Sequence, residues 1–543
     1  MNILRLLQGG PPASRRFLFA ITSFTGLGNA GLIGLINQAA EQSLLGAKVG
    51  AQLLIVYALT LAFFLVSNRT SLHQANRYVQ QRLEATRRRI VTKIRRADLR
   101  TLERLGQGDI YITVAQETDH LSQTLPLLIG AAQSAFVLVF LLLYIATLSL
   151  ISFAVVAGVT ALGLSIFVIR QRALTASLAA VHYREAEMLD SLSHFTLGFQ
   201  EIRLNADRND GLFAHFSEVA DRLKDEVIAI GGRWVALLQF SNAFIFLLVG
   251  VVVFVLPAFF AGYTDTIYKI TAASVFAIGP VAAITSVVRL IGRAEAGLGH
   301  VYALEEKLDE NAPGAAEKKP RERSPFRDFQ TIELAGTTFR YVDGAGLTTF
   351  TAGPLDFTLR RGETVFMTGG NGSGKSTALK LICGLYRPDG GRILCDGTEI
   401  DSSNRQQYRE IFSGVFTDFH LFDRLYGIDA DPEDVARLIA RMELSDKVDF
   451  AKGRFSTSDL STGQRKRLAM IVALLEDREV YLFDEWAADQ DAHFREVFYG
   501  EMLADFKARG KTVVAVTHDD HYWDRCDRRV ALDLGMITSG EGV

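Results

Sequence analysis

Gly369-Gly370-Asn371-Gly372-Ser373-Gly374-Lys375-Ser376 follows the apolar run Thr364-Val365-Phe366-Met367-Thr368 and precedes the helical pattern TALKLIC, which begins at Thr377. The stretch has G-x-x-x-x-G-K-S spacing in the strand–loop–helix setting that gives the spacing its meaning. Glycine lets successive backbone N–H groups converge on a phosphate, and the N-terminus of the next helix adds the positive end of its dipole. Lys375 then suits the outer phosphates and Ser376 a Mg²⁺ ion, with Gly369, Asn371, Gly372, Ser373, Gly374 and Thr377 completing the cradle. From Phe326 onward strand-like and helix-like segments alternate, which predicts an α/β domain. VFMTG and VYLFD are apolar strands of the kind buried on both faces.

Upstream of this domain the chain is written for another solvent. Six apolar stretches, at 17–38, 51–67, 126–147, 148–169, 240–261 and 270–290, are each long enough to cross a bilayer core as a helix. Arg5, Arg15 and Arg16 precede the first, eleven Lys and Arg residues from Arg69 to Arg104 lie between the second and third, and eight from Arg170 to Arg233 lie between the fourth and fifth. The opposite side offers Lys48 and Lys269. This bias predicts an inner-membrane protein with both termini and the two long connections in the cytoplasm. The first 16 residues resemble a signal-peptide n-region, but the apolar run behind them is too long, so an uncleaved first helix is expected. The long connections carry helical patterns, including RRRIVTKIRRADLRTLERL, so the membrane helices are expected to continue into the cytoplasm.

Composition over all 543 residues averages these two solvents: 49% apolar, 22% charged, mean hydropathy +0.16. With 58 basic against 61 acidic residues there is no net field to attract nucleic acid, so no nucleic-acid partner is expected. Cys383, Cys395 and Cys526 lack metal-ligand spacing and exclude a secreted disulfide scaffold. The charged, Pro-containing stretch 305–325 reads as a linker, dividing the chain into a membrane domain at 1–304 and a nucleotide-binding domain at 326–543.

Val480-Tyr481-Leu482-Phe483-Asp484-Glu485 is a strand ending in two acids. Asp484 suits Mg²⁺, and Glu485 suits polarisation of a water for attack on a γ-phosphate. Leu460-Ser461-Thr462-Gly463-Gln464 leads into the helix RKRLAMIVALL. Here the chain resembles the ATP-binding cassette (ABC) superfamily, whose signature segment reads LSGGQ, with Thr462 in place of one glycine. The resemblance implies a six-span α-helical transmembrane domain of ABC exporter type fused to an α/β P-loop cassette. It implies ATP and Mg²⁺ as cofactors, a phosphate contact from Ser461, Gly463 and Gln464, adenine stacking by Tyr341, a γ-phosphate contact from His518, and a crossing segment at Asp491. The family expects glutamine in a context like VFQD. Val415-Phe416-Thr417-Asp418 puts the shorter Thr417 there as the metal-side contact, with Asp418 or His420 as compensating groups.

DEWAADQD and VFTDFHLF, in place of the family's common segments, look like the cyclic-peptide exporter group of microcin and peptide-siderophore half-transporters. That resemblance implies ATP-driven export of a small cyclic, lasso or siderophore-type peptide. One phosphate loop and one signature per chain imply a homodimer in the lipid bilayer. The alternatives are a lipid or hydrophobic-drug exporter, an exporter-fold importer, and an ATP-binding membrane sensor. By resemblance to exporter folds, the turns near Glu117-Thr118-Asp119 and at 204–211 are the expected coupling elements. Asn29, Asn37, Gln133, Gln239, Asn242 and Ser274 are polar positions in the spans, suited either to a translocation pathway or to helix–helix hydrogen bonds.

Overall fold

Apolar runs too long for a globular core become helices of corresponding length. In the computed structural model, which describes residues 2–9, 11–44, 48, 50–255, 257, 267–310, 324–343 and 346–542, the first of two units comprises Met1–Thr92 and Gly108–Glu306. It holds α1 (Asn2–Gln8), α2 (Pro12–Leu44), most of α3 (Ala51–Ile94), α6 (Thr118–Leu148), α7 (Leu150–Leu197), α8 (Phe199–Arg203), α9 (Ala206–Gly250), α10 (Ile267–Phe276) and most of α11 (Ile278–Glu310). Two short helices, α4 (Leu99–Leu105) and α5 (Gln107–Tyr111), lie between α3 and α6. Among the described residues six helical stretches are long and apolar enough to cross a membrane. The outer end of the expected fifth span and most of the linker, 311–323, lie outside the described residues.

The 44 residues of α3 show how the sequence pattern maps onto length. At about 1.5 Å per residue the helix runs about 66 Å, roughly twice a hydrocarbon core of about 30 Å. Its first part exposes Leu54, Ile55, Leu59 and Val66, as lipid requires, and its second part carries Arg82, Arg87, Arg88 and Arg89.

Polar side chains in the spans tie helices together. Thr25 Oγ1 lies 2.8 Å from Ser67 Oγ, and Gln133 Nε2 donates to Asn68 Oδ1 at 2.9 Å. Asn37 Nδ2 donates to the Lys269 carbonyl at 3.2 Å and to Tyr144 Oη at 3.4 Å. Asn37 and Gln133 thus take the helix-bonding role, Ser274 is buried, and Gln239 and Asn242 are exposed. Between α6 and α7 the chain turns on Ser149 alone, whose extended backbone breaks the helix and whose hydroxyl accepts from Ser152 N to cap the next one.

The turns of the long connections differ in part from expectation. Leu204 and Asn205 do form a turn, with Asn205 Oδ1 capping α9 at Arg208 N. Glu117, Thr118 and Asp119 instead lie in continuous helical backbone, with Glu117 Oε1 3.0 Å from His300 Nδ1. The break falls earlier: Asp98 precedes α4, and Gly106, at a φ of 73°, ends it.

The second unit comprises Lys93–Gln107 and Lys307–Val543, so α4 belongs to it. Its strands are β1 (Thr331–Val342), β2 (Thr348–Arg360), β3 (Thr364–Thr368), β4 (Gly390–Cys395), β5 (Thr398–Glu399), β6 (Phe412–Val415), β7 (Phe450–Ala451), β8 (Arg454–Phe455), β9 (Val480–Asp484), β10 (Thr512–Val516), β11 (Arg528–Asp533) and β12 (Met536–Gly542). Its larger helices are α12 (Lys375–Ile382), α14 (Pro432–Arg441) and α15 (Thr462–Glu476). The shorter ones are α13 (Arg405–Arg409), α16 (Ala492–Glu496) and α17 (Leu503–Ala508). A six-stranded sheet in the order β12-β11-β3-β10-β9-β6 lies beside a four-stranded one in the order β2-β1-β4-β5. Alternation along β9 sends Tyr481 and Phe483 into one core and Val480 and Leu482 into the other.

Phe483 is fully buried in that first core. Phe483→Ala should cost about 3–5 kcal/mol of cassette stability. It should lower the thermal unfolding midpoint of the full-length protein, and Phe483→Leu should lower it less.

Candidate active site

Three parallel strands bring the site together at their carboxyl ends. Val516 of β10 pairs with Met367 of β3 on one side and with Asp484 of β9 on the other. The loop 369–374, the pair Asp484-Glu485 and His518 therefore leave adjacent strands on the same edge, where open α/β sheets bind their ligands.

Gly369 adopts a φ of 143°, and a Cβ there would stand 2.1 Å from the Leu532 carbonyl oxygen, so only glycine fits. Gly372 and Gly374 have φ values of 76° and 97°, which turn the chain into α12. Lys375, at the start of that helix, is buried and donates from Nζ to the carbonyls of Gly369 at 3.0 Å and Gly370 at 2.9 Å. Burial lowers its ammonium pKa, opposed by the carboxylates of Glu485 and Asp484. A phosphate would relieve that cost. Asn371 is exposed, while Ser373 and Thr377 are buried.

Asp484 ends β9 almost wholly buried, and Ser376 Oγ donates to its Oδ1 at 3.1 Å. Burial raises its carboxyl pKa above the ordinary value, against the Ser376 hydrogen bond, which lowers it. Thr417 Oγ1 donates to the backbone oxygen of Asp484 at 3.3 Å, so the short side chain still reaches this corner. Asp418 is mostly exposed, 4.0 Å from Lys380 Nζ, and the His420 ring packs 4.8 Å from Phe422.

Glu485 sits in left-handed backbone at a φ of 53°, which is uncommon for a side chain with a Cβ. Its Oε1 lies 3.2 Å from His518 Nε2, and both side chains are partly open to solvent. Tyr499 Oη, 2.6 Å from Thr517 Oγ1 and donating to Asp519 Oδ2 at 3.0 Å, holds the chain on both sides of His518.

The signature segment is a capped helix start joined to the strand that carries Glu485. Ser461 Oγ accepts from Gln464 N, and Gln464 Oε1 accepts from Ser461 N, which forms a capping box. A Cβ on Gly463 would stand 2.6 Å from the Asp489 carbonyl oxygen, and Gln490 Nε2 donates to the Gly463 carbonyl at 3.1 Å. Asp491 Oδ1 caps α16 at Phe494 N. Tyr341 is half-buried beside Phe339, its hydroxyl 3.1 Å from Thr377 Oγ1.

Reading the motifs misses Lys466. It is buried on α15, donates to the Glu485 carbonyl at 2.6 Å and pairs with Asp489 Oδ2 at 2.7 Å. The Trp486 indole donates to the Lys466 carbonyl at 2.9 Å. The only sequence signal was position, one turn after the signature in a helix with three basic residues in a row. Lys466→Met should loosen Glu485 and lower ATPase turnover by up to about 10²-fold. Binding of a fluorescent ATP analogue should change far less, a split that steady-state and equilibrium titrations measure.

Residues 352–488 match the family model described as "ABC transporter". The ATP-binding protein SyrD of Pseudomonas syringae pv. syringae is 30% identical over 558 aligned positions, covering 99% of this chain and 96% of the relative. Nod factor export ATP-binding protein I of Burkholderia orbicola is 30% identical over 218 positions, 38% of this chain and 70% of the relative. The structure of a bacterial Atm1-family ABC exporter with ATP bound superposes with a TM-score of 0.74 at 18% identity, over 97% of this chain and 94% of that one. At that identity the likeness speaks for the fold. The chain belongs to the ABC transporter family, as an exporter-type, multi-pass inner-membrane protein whose cytoplasmic cassette binds and hydrolyses ATP to drive transport.

Proposed function

We propose that the chain is a homodimeric half-transporter that exports a small cyclic, lasso or siderophore-type peptide. The observation that carries its chemistry is the Glu485–His518 pair beside the phosphate loop. Lys375 holds the outer phosphates of ATP, and Tyr341 stacks on the adenine. Glu485 takes a proton from water as the water oxygen bonds to the γ-phosphorus and the bond to ADP breaks. His518 steadies the γ-phosphate. The buried Asp484 carboxylate with the hydroxyls of Ser376 and Thr417 forms a set of hard oxygen donors that fits Mg²⁺. The ion, when bound, neutralises phosphate charge.

One phosphate loop and one signature per chain support the dimer, each ATP lying between Lys375 of one copy and Ser461 and Gly463 of the other. The peptide cargo is supported by the segments DEWAADQD and VFTDFHLF. In the first, Trp486 is buried and bonded to the signature helix, so the variation belongs to the machinery that joins signature and catalytic strand.

ATP-dependent uptake into inverted vesicles, with a panel of peptides and lipids, tests the reading. Peptide should accumulate and Glu485→Gln should abolish both uptake and ATPase activity. Accumulation of lipid alone would overturn the cargo, and equal ATPase activity in both forms would overturn Glu485 as the base. Protons compete with Mg²⁺ for Asp484, whose folded pKa is raised. Mg²⁺-dependent nucleotide affinity should therefore weaken as pH falls through that raised range, and Asp484→Asn should flatten the dependence.

A further inference from the structure

Inside the cassette unit, α4 is bonded to the wall of the nucleotide pocket. Arg100 donates from Nη1 to Asp389 Oδ1 and from Nη2 to the Arg340 carbonyl, both at 2.7 Å, with its guanidinium 4.8 Å above the Phe339 ring. Glu103 accepts from Lys380 Nζ at 3.1 Å through Oε1 and from Tyr386 Oη at 2.6 Å through Oε2. Tyr386 is buried and stacked on Phe339, with centroids 4.1 Å apart. Tyr341 Oη donates to Tyr386 Oη at 3.2 Å and lies 3.1 Å from Thr377 Oγ1.

Proton counting gives this chain a direction. A tyrosine hydroxyl has one proton to donate. Tyr386 gives its proton to Glu103, so it accepts from Tyr341. Tyr341 has then spent its own, so Thr377 must donate to Tyr341. The order Thr377 → Tyr341 → Tyr386 → Glu103 ends on a carboxylate, where a hydrogen bond is strongest and polarises those behind it.

We infer that Glu103 and Tyr386 are positioning residues for the nucleotide: the seating of α4 sets the Tyr341 ring through the hydroxyl chain, and a bound nucleotide in turn tightens α4. This rests on Tyr341 as the adenine platform. Coupling between two sites is reciprocal in binding free energy, so both halves must hold together.

The test uses the full-length chain in lipid nanodiscs with a non-hydrolysable ATP analogue. Tyr386→Phe keeps the ring and its stacking but removes the link, and Glu103→Gln keeps the shape but removes the charge. Each should weaken nucleotide affinity about fivefold. Paired with each other they should be no worse than the stronger single change. Nucleotide should slow hydrogen–deuterium exchange of Leu99–Leu105 in the unchanged chain and have little effect on it in Tyr386→Phe. Unchanged affinity with full protection of α4 in Tyr386→Phe and Glu103→Gln would overturn the relay, provided Tyr341→Leu weakens binding. If Tyr341→Leu binds normally, the adenine platform itself fails and the inference with it.

Discussion

The Lys466 ammonium sits almost wholly out of water between the Glu485 carbonyl and the Asp489 carboxylate. A buried charge deprived of its partners is strongly destabilising, so this cation holds its two neighbours where they are. One of those neighbours is the left-handed residue whose side chain faces His518, and the other sits against Gly463. The signature helix, the end of β9 and the segment leading to Asp491 thus share one electrostatic knot, closed by the Trp486 indole. Glu485 keeps an uncommon backbone conformation because the surrounding bonds over-determine it.

The membrane unit obeys a different rule. With no water to satisfy backbone groups in the hydrocarbon, its spans are helices, and polar side chains within them must find each other. Thr25 with Ser67 and Gln133 with Asn68 are such pairs. Neither needs a cargo to explain it.

Motif and periodicity reach as far as local chemistry reaches. The phosphate loop was readable because its glycines answer a backbone demand that no other residue meets, as at Gly369. The six spans were readable because lipid tolerates few residue types. Lys466 and Tyr386 were not readable, since each acts through partners distant in the chain or through groups on the backbone. Glu117–Asp119 misled because the turn there was placed by resemblance to exporter folds, whereas the helical backbone runs through it and the break comes at Asp98 and Gly106. Thr417 stands where the family has glutamine, and its short hydroxyl meets the Asp484 backbone rather than spanning the site.

The turn at Ser149 bears on how the protein enters its membrane. With a single residue between α6 and α7, there is too little chain for one helix to be threaded across while the other waits in water. The two must enter the bilayer as one hairpin, each satisfying its own backbone, with the Ser149 hydroxyl accepting from the Ser152 N–H, a first-turn group that the helix itself leaves unpaired. Biogenesis of this half of the molecule then has a unit of insertion larger than a single helix.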